Sequence, residues 1–438
     1  MTSTPKAPAQ PVTMGRIFRL WSPLALSWLC MAVELPLITA VIGRMADFKV
    51  QMAGVSSIAF PLALLIEGPV IMLLSASTAL CRDGQSFRQV RRYALVMGVV
   101  LSGVHALVCL PSLYGPVTEG LIGASPNVAA AAYPAMLAMI PWTMAIAYRR
   151  FHQGVLIRAE KGKGVTQGTL VRLFTDCLVL ALCYRLEVPG ALTAGLALSA
   201  GVTTEAFYVG WAVQPSIRAL PEPKETGKAP LHFAGFMRFY APLALTPILG
   251  FLAMPLGSAA MNRMPHSLDS LAVWQALHGI VFIPRSLALA YNEVVIRLSE
   301  IPGSVPRLMR FARILGFAIT VLIALFGLTS LGQELFALLF DMPPTLAALG
   351  AAGLLLSLPQ PGLMAGQSFH LGLLVGHGRT KAVTKSMGIF LVISGVCLYF
   401  SVRNAEGYGL LYVAGSFSIA TVAQVVYLAW KSLPLRGH

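Results

Sequence analysis

Seven charged side chains lie within long apolar stretches of the sequence, where a charge is costly to bury. The acids and bases are Glu34, Glu67, Arg172, Asp176, Glu205, Arg285 and Glu293. A carboxylate can carry a proton or bind a cation, and a guanidinium group pairs with carboxylate and phosphate. These residue types therefore predict a binding or proton-transfer site within the apolar part of the chain.

Arg172 and Asp176 are four residues apart, so on a helix they share one face. One interpretation is a pair whose charges neutralise each other. The other is an anion site, in which the substrate competes with Asp176 for the guanidinium group of Arg172.

Arg285 lies twelve residues before Arg297, which places it roughly 18 Å deep along a helix. It follows Pro284, and Asn292 comes two turns later. We predict that Arg172, Arg285 and Asn292 bind the substrate. The alternative for Arg285 is a buried Arg–Glu bridge between the two halves that locks one state.

Glu34 lies ten residues before Arg44, or roughly 15 Å along a helix, and the following Pro36 frees a backbone carbonyl. A carboxylate beside a free carbonyl suits a cation or a transferable proton. Glu67 lies in a helix broken by two prolines. We predict coupling to a proton or ion at Glu34, Asp176 and Glu67, with a protonated, merely packed carboxyl group as the alternative.

Glu205 lies about eight residues before the end of its apolar stretch. We expect it at the membrane interface, in a structural role.

The composition indicates the elements that position these residues. Of 438 residues, 56% are hydrophobic and 11% are charged, with mean hydropathy +0.74. A soluble protein carries about 25% charged residues. Because a helix needs about 20 residues to cross the bilayer, the sequence predicts twelve spans. They lie near 17–43, 52–80, 93–112, 127–149, 166–184, 190–213, 236–262, 268–296, 314–331, 345–374, 384–402 and 408–430.

Most of the 32 Lys and Arg residues fall in alternate segments between these spans, Arg149 and Arg150 among them. This distribution predicts both termini in the cytoplasm, in a bacterial inner membrane. The basic residues therefore indicate a membrane protein and not a nucleic-acid-binding protein.

The two halves of the sequence repeat at a nearly constant offset. Arg19–Leu26 is RLWSPLAL, and Arg238–Leu245 is RFYAPLAL, 219 residues later. Six spans is an even number, so both copies run in the same direction and a pseudo-two-fold axis follows the membrane normal. The predicted organisation is a tail at 1–16, a six-helix lobe at 17–213, a linker at 214–235, a second six-helix lobe at 236–431 and a tail at 432–438.

No Walker motif, metalloprotease motif or nucleophile elbow occurs in the sequence, and its six cysteines form no CxxC pair. We therefore expect neither a cofactor, nor a metal, nor enzymatic activity.

The sequence resembles the MOP exporter superfamily, which includes the multidrug and toxin extrusion (MATE) transporters. The pattern PLAL…VIGRM, from Pro23 to Met45, resembles the opening of MATE proteins. RFYAPLAL…MNRM, followed by FIP at 282–284 and NE at 292–293, resembles the progressive ankylosis protein family. Many MATE proteins have an acid where this chain has Ile38, one turn after Glu34. The MATE resemblance implies coupling to protons or sodium, and the progressive ankylosis resemblance implies export of organic or phosphate-containing anions.

These observations predict an all-α transporter with a two-lobed, MATE-like fold that exports an anionic or amphipathic organic solute by alternating access. We expect a monomer whose partners are its small-molecule or lipid-linked substrate and the membrane lipids. Three alternatives stay open: an organic-cation antiporter, a lipid-linked glycan flippase, and an intramembrane enzyme or scaffold.

Overall fold

The computed structural model describes residues 12–222, 231–340 and 342–435, and these residues form helices with no strand among them. Twelve long helical segments, α1 to α12, follow the order of the twelve predicted spans. They are Met14–Ile42, Phe48–Leu80, Gly84–Val108, Pro126–Ala138 with Ile140–Arg158, Gly162–Arg185, Gly190–Ala212, Phe233–Met261, Ser267–Leu298, Val305–Leu328, Pro344–Gly376, Thr380–Asn404 and Gly409–Ser432.

Most of these segments can cross a membrane. Ten of the described helices are long and apolar enough to do so, and the two parts of α4 make an eleventh if they form one span. The remaining segment, α6, is a 23-residue helix rich in Gly, Ala and Thr. The chain is therefore an integral, multi-pass membrane protein.

The two halves repeat in structure as they do in sequence. The last helix of each half begins at a glycine, Gly190 for α6 and Gly409 for α12, 219 residues apart. The turns that precede α2 and α8 contain a residue in the left-handed region, Asp47 at φ 51° and His266 at φ 52°, at the same offset.

A side-chain hydrogen bond is also repeated. Thr166 of α5 donates to the carbonyl oxygen of Pro23 in α1 at 2.6 Å. Thr384 of α11 donates to the carbonyl oxygen of Pro242 in α7. Each half therefore joins its first and fifth helices by the same contact, and α1–α6 and α7–α12 form two lobes of six helices.

Several segments are interrupted, which explains why the second and tenth apolar runs are longer than a minimal span. A π-helical turn at Val55–Ala59 interrupts α2, and a break at Leu358 interrupts α10. The two parts of α4 meet at Met139 and are bent by 45°. Such breaks free backbone groups and let helices bend around an interior site.

One face of the molecule carries the starts of α1, α3, α5 and α9 and the ends of α2, α4 and α8, and we call it the basic face. Near this face, buried residues of the second lobe such as Tyr240, Tyr291 and Phe311 belong to the same apolar cluster as the interior of the first lobe. Toward the opposite face, Trp274 and Phe417 belong to a second cluster, composed of second-lobe residues alone. The lobes therefore pack together at the basic face and have separate cores further away.

Ion pairs join the lobes at the basic face. Arg297 of the second lobe lies 3.2 Å from Glu160 of the first. Glu300 of the second lobe lies 2.9 Å from Arg82 and 3.0 Å from Arg158, both in the first. The structure is therefore closed at the basic face.

Two details differ from the sequence prediction. The fourth span, predicted at 127–149, continues to Arg158. The expectation that Arg149 and Arg150 lie in a surface segment is wrong, because both occupy the interior of α4 and Arg149 is 2% exposed. Residues 1–11 of the predicted tail, 223–230 of the predicted linker and 436–438 lie outside the described residues.

Candidate functional site

Glu34 of α1 and Arg172 of α5 form a buried ion pair between helices that are far apart in sequence. Arg172 Nε donates to Glu34 Oε1 at 2.8 Å, and Nη2 donates to Oε1 at 2.6 Å and to Oε2 at 2.5 Å. Charge-assisted pairs of this forked kind are strong and fix orientation. The sequence suggested Asp176 as the partner of Arg172. That contact is longer than the contacts with Glu34, since Asp176 Oδ2 lies 3.9 Å from Arg172 Nε.

A second ion pair lies beside the first. Arg149 Nη1 of α4 is 2.5 Å from Glu205 Oε2 of α6. Glu205 Oε1 also accepts hydrogen bonds from Gln153 Nε2 at 2.9 Å and Thr169 Oγ1 at 3.2 Å. Arg172 Nη1 lies 3.8 Å from Glu205 Oε2 and links the two pairs. The side chain of Glu205 is fully buried among α4, α5 and α6.

The carboxylate of Asp176 is buried and lacks hydrogen-bond donors. Neither of its oxygens accepts a hydrogen bond from the described residues, and the residue is 0% exposed. It is enclosed between α5 and α6, where Oδ1 lies against Gly201. With Glu34, it shares the nearby guanidinium group of Arg172. A carboxylate in this position, close to a second carboxylate, is chemically suited to accept a proton.

Glu67 of α2 extends this group of charges. Its carboxylate is buried, and Oε2 has no hydrogen-bond partner among the described residues. Arg149, Arg150 and Arg172 are near enough to attract this carboxylate electrostatically. The Arg150 guanidinium lies 5.6 Å from the ring centroid of Trp28, a cation–π contact. A cavity of about 10 Å³ adjoins Arg150, Trp28 and Glu293, roughly the space that one water occupies.

The second lobe lacks this network. The corresponding residues at offsets of 218 or 219 are Ala253 for Glu34, Phe390 for Arg172, Ser394 for Asp176 and Gln424 for Glu205. A six-helix lobe therefore folds with apolar or uncharged residues at these places. The buried charges are a special property of the first lobe and are not required by the fold.

Arg285 of α8 differs from Arg149 and Arg172 of the first lobe, which form ion pairs with acids. It forms neither an ion pair nor a hydrogen bond with any residue that the structure describes, so the predicted alternative of an Arg–Glu bridge between the lobes is not found there. Leu287, two residues later, accepts a hydrogen bond from Trp21 Nε1 of α1 at 2.9 Å. This contact places the adjoining part of α8 at the lobe interface.

Asn292 lies nearer the basic face, at a polar contact between the lobes. Its Nδ2 donates to Ser75 Oγ of α2 at 3.2 Å and to Glu293 Oε1 at 3.1 Å, and Ser75 donates to Glu293 Oε1 at 3.0 Å. Asn292 Oδ1 is buried with no hydrogen-bond partner among the described residues. It therefore has an acceptor to offer a ligand.

The predicted site residues thus separate into two groups. Glu34, Arg172 and Asp176 meet inside the first lobe, with Glu67 in the same lobe, whereas Arg285 and Asn292 lie on α8. The sequence interpretation missed Arg149, Arg150, Gln153 and Thr169. Arg149 and Gln153 are four residues apart, so a longer fourth helix would have placed them on one face.

Several solved structures with a similar fold are described as transporters of the MATE family or the MOP superfamily. An outward-facing MATE-family multidrug resistance transporter of the MOP superfamily matches with a TM-score of 0.76 and 14% identity, over 96% of this chain and 95% of that one. A mutant of the Vibrio cholerae MATE transporter VcmN matches with a TM-score of 0.75 and 16% identity, over 97% and 98%. A MOP superfamily transporter from Pyrococcus furiosus, described by a binding pocket of reversed polarity, matches with a TM-score of 0.72 and 13% identity, over 96% and 95%.

No protein-family model matches the sequence, and no curated protein matches it significantly. The similarity to the solved transporters therefore concerns the fold, and it confirms the predicted all-α, two-lobed, MATE-like architecture.

Proposed function

We propose that the chain is a secondary active transporter that exports an anionic or amphipathic organic solute by alternating access. The fold supports this proposal because two six-helix lobes that pack at one face can rock about that contact. The observation that supports an anionic substrate is a difference between the two lobes in how their buried charges are paired. The acids of the first lobe lie beside arginines, whereas Arg285, two residues from the α8 contact with Trp21, has no acidic partner among the described residues.

Arg285 is the proposed anion-binding group. Arg285 has no ion-pair partner among the described residues and lies on the part of α8 that contacts α1, so its guanidinium group has several hydrogen-bond donors to offer a carboxylate or phosphate. The unpaired Oδ1 of Asn292 would accept from a hydroxyl or amide of the same solute. Arg172 is a weaker candidate for direct contact, because its guanidinium is held by Glu34 and a substrate would have to displace that carboxylate.

Asp176, Glu34 and Glu67 are the proposed coupling carboxylates. Three carboxylates, Glu34, Asp176 and Glu205, lie beside Arg172. A proton on Glu34 would remove its negative charge and weaken the Glu34–Arg172 pair, whereas a proton on Asp176 would remove a carboxylate that competes with Glu34 for the guanidinium group. Because these helices pack together within the first lobe, loosening this pair would change how α1 packs on α5. Such a change could bias the equilibrium between the two access states.

The basic face is proposed to lie in the cytoplasm of a bacterial inner membrane, since it carries Arg16, Arg82 and Lys161. We propose that the transporter is a monomer with lobes at 17–213 and 236–431, joined by a cytoplasmic linker at 214–235.

An organic-cation antiporter is the second candidate, and two observations favour it. Several solved neighbours are described as MATE multidrug transporters, and Glu67 has a carboxylate oxygen without a partner among the described residues. A lipid-linked substrate is the third candidate, because a guanidinium group at a lobe interface would also suit a lipid diphosphate.

Counterflow in proteoliposomes tests the substrate class, with labelled organic anions and cations presented to wild type, Arg285→Ala and Arg263→Ala. Arg263 is an exposed arginine at the opposite face and serves as the matched control. Anion uptake that is lost in Arg285→Ala and kept in Arg263→Ala is the expected result. Cation uptake that does not depend on Arg285 would contradict the anion proposal, and uptake of neither class would point to a lipid-linked substrate.

A further inference from the structure

A cavity of about 390 Å³ lies at the basic face, away from the buried charges of the first lobe. Its charged lining consists of cations from both lobes, Arg82, Arg158 and Lys161 from the first and Arg297 from the second. The rest of the wall includes Ser216 and the segment 219–221, which follow α6. None of the described residues that line it is acidic.

Glu160 and Glu300 form ion pairs with the arginines around this cavity, and Asp83 and Glu222 follow the lining residues Arg82 and Pro221 in the sequence. Glu160 pairs with Arg16 at 2.6 Å and with Arg297 at 3.2 Å. Glu300 pairs with Arg82 at 2.9 Å, with Arg158 at 3.0 Å and with Arg297 at 3.8 Å. Two carboxylates therefore form ion pairs with four arginines. Lys161 adds a fifth cation, and it forms no ion pair with any described residue.

We propose that this cavity binds a phosphate-bearing anion and that the bound anion holds the lobes together at the basic face. Arginine's planar fork matches phosphate oxygens, and lysine supplies a point charge. The volume lies within the range of small-molecule sites. Because Arg297 comes from the second lobe and the other cations from the first, an anion that contacts both sets stabilises the closed arrangement.

The phosphate group has two possible sources, the headgroup of an anionic phospholipid and a soluble phosphate compound. The cavity is separate from Arg285 and from the Glu34–Arg172 pair, so this inference does not depend on the identity of the transported solute.

Lys161 and Lys163 provide a matched pair of variants for the test. Both are exposed and begin the same helix, but only Lys161 lines the cavity. The midpoint of thermal unfolding is measured for the purified full-length protein while pyrophosphate is titrated at constant ionic strength. A saturable increase is expected in wild type and in Lys163→Gln, and the apparent affinity should fall about fivefold in Lys161→Gln.

Ala219→Glu is a second variant, because Ala219 is an exposed cavity residue and a carboxylate there would compete for the arginines. It should abolish the pyrophosphate effect. The protein is also reconstituted in phosphatidylcholine vesicles with and without phosphatidylglycerol, and the midpoint of thermal unfolding is compared between Lys161→Gln and Lys163→Gln.

A phosphatidylglycerol effect that requires Lys161 would identify a lipid headgroup, and a pyrophosphate effect alone would identify a soluble anion. If neither probe acts, or if both lysine variants respond equally, the proposal is wrong.

Discussion

The carboxylate of Asp176 lies directly against the Cα atom of Gly201, between α5 and α6. A Cβ atom added to Gly201 would overlap Asp176 Oδ1 and would come within 3.1 Å of Arg172 Cγ. The glycine therefore allows the carboxylate to sit at this depth beside Arg172. The residue at position 201 therefore determines the position of the Asp176 carboxylate, although it contributes no polar side chain.

Gly201→Ala should impair transport more than it impairs folding. The added methyl group must push the Asp176 side chain away from Arg172, whereas alanine within a helix is favourable by about 1 kcal/mol relative to glycine. We expect the transport rate to fall about tenfold while the unfolding temperature changes little. Gly415 of α12 has no atom within 4 Å of an added Cβ, so Gly415→Ala is the matched control. Equal rates for both alanine variants would show that the position of Asp176 is unimportant.

Replacing Arg172 alone should lower the free energy of unfolding more than replacing both Glu34 and Arg172. Arg172→Gln leaves Glu34 as a buried carboxylate without its guanidinium partner, which typically costs about 3–5 kcal/mol. The double variant Glu34→Gln, Arg172→Gln removes both charges of the pair and should regain part of that stability, since Asp176 and Glu205 still lose the nearby Arg172. Thermal unfolding of the purified variants measures both effects. Restored stability without restored transport would assign the pair a role in coupling, and a double variant as unstable as Arg172→Gln would contradict this account.

The sequence predicts the architecture well because the bilayer imposes a strong rule on helix length and hydropathy. All twelve predicted spans overlap helices, and the offset of 219 residues recurs in the turns at Asp47 and His266. The main error concerns α4, whose polar second half was assigned to the surface. A charge at a membrane edge and a charge paired inside a lobe look alike in sequence until the partner is known.

The candidate site was predicted only in part for the same reason. The individual residues Glu34, Arg172 and Asp176 stand out because they interrupt apolar stretches. The pairing of these residues cannot be read from the sequence, because Glu34 is 138 residues from Arg172. Nothing in the local sequence specifies which acid a buried arginine contacts. Asp176, four residues away, was the natural local choice. Packing of α1 on α5 brings Glu34 closer instead.

The orientation in the membrane can be checked by labelling single cysteines. Lys161→Cys is at the basic face and Glu119→Cys is near the opposite face, both at exposed positions, in a background where the native cysteines are replaced by serine. With the basic face in the cytoplasm, a membrane-impermeant maleimide should modify Glu119→Cys in intact cells and Lys161→Cys only after the membrane is permeabilised. The reverse pattern would invert the proposed topology and the direction of export.

The ion pairs of Glu300 should hold the basic face closed. Glu300 contacts Arg82 and Arg158 across the lobe interface, with side chains about a quarter exposed or less. Partly exposed pairs of this kind contribute up to about 1 kcal/mol each. Glu300→Gln should therefore raise the population open at the basic face by about fivefold or more. Electron–electron double resonance between spin labels at positions 88 and 310, which lie on opposite lobes near this face, measures that population.

Glu406→Gln is the control for this experiment, because Glu406 is exposed near the opposite face and forms no ion pair with the described residues. It should leave the distance distribution unchanged. If Glu300→Gln also leaves it unchanged, the ion pairs of Glu300 do not hold the lobes together. The shared apolar cluster around Tyr291 and Phe311, or the anion proposed for the adjacent cavity, then holds the basic face closed. A Phe311→Ala variant would then be expected to open the basic face, since truncating a buried aromatic side chain typically costs about 3–5 kcal/mol of packing.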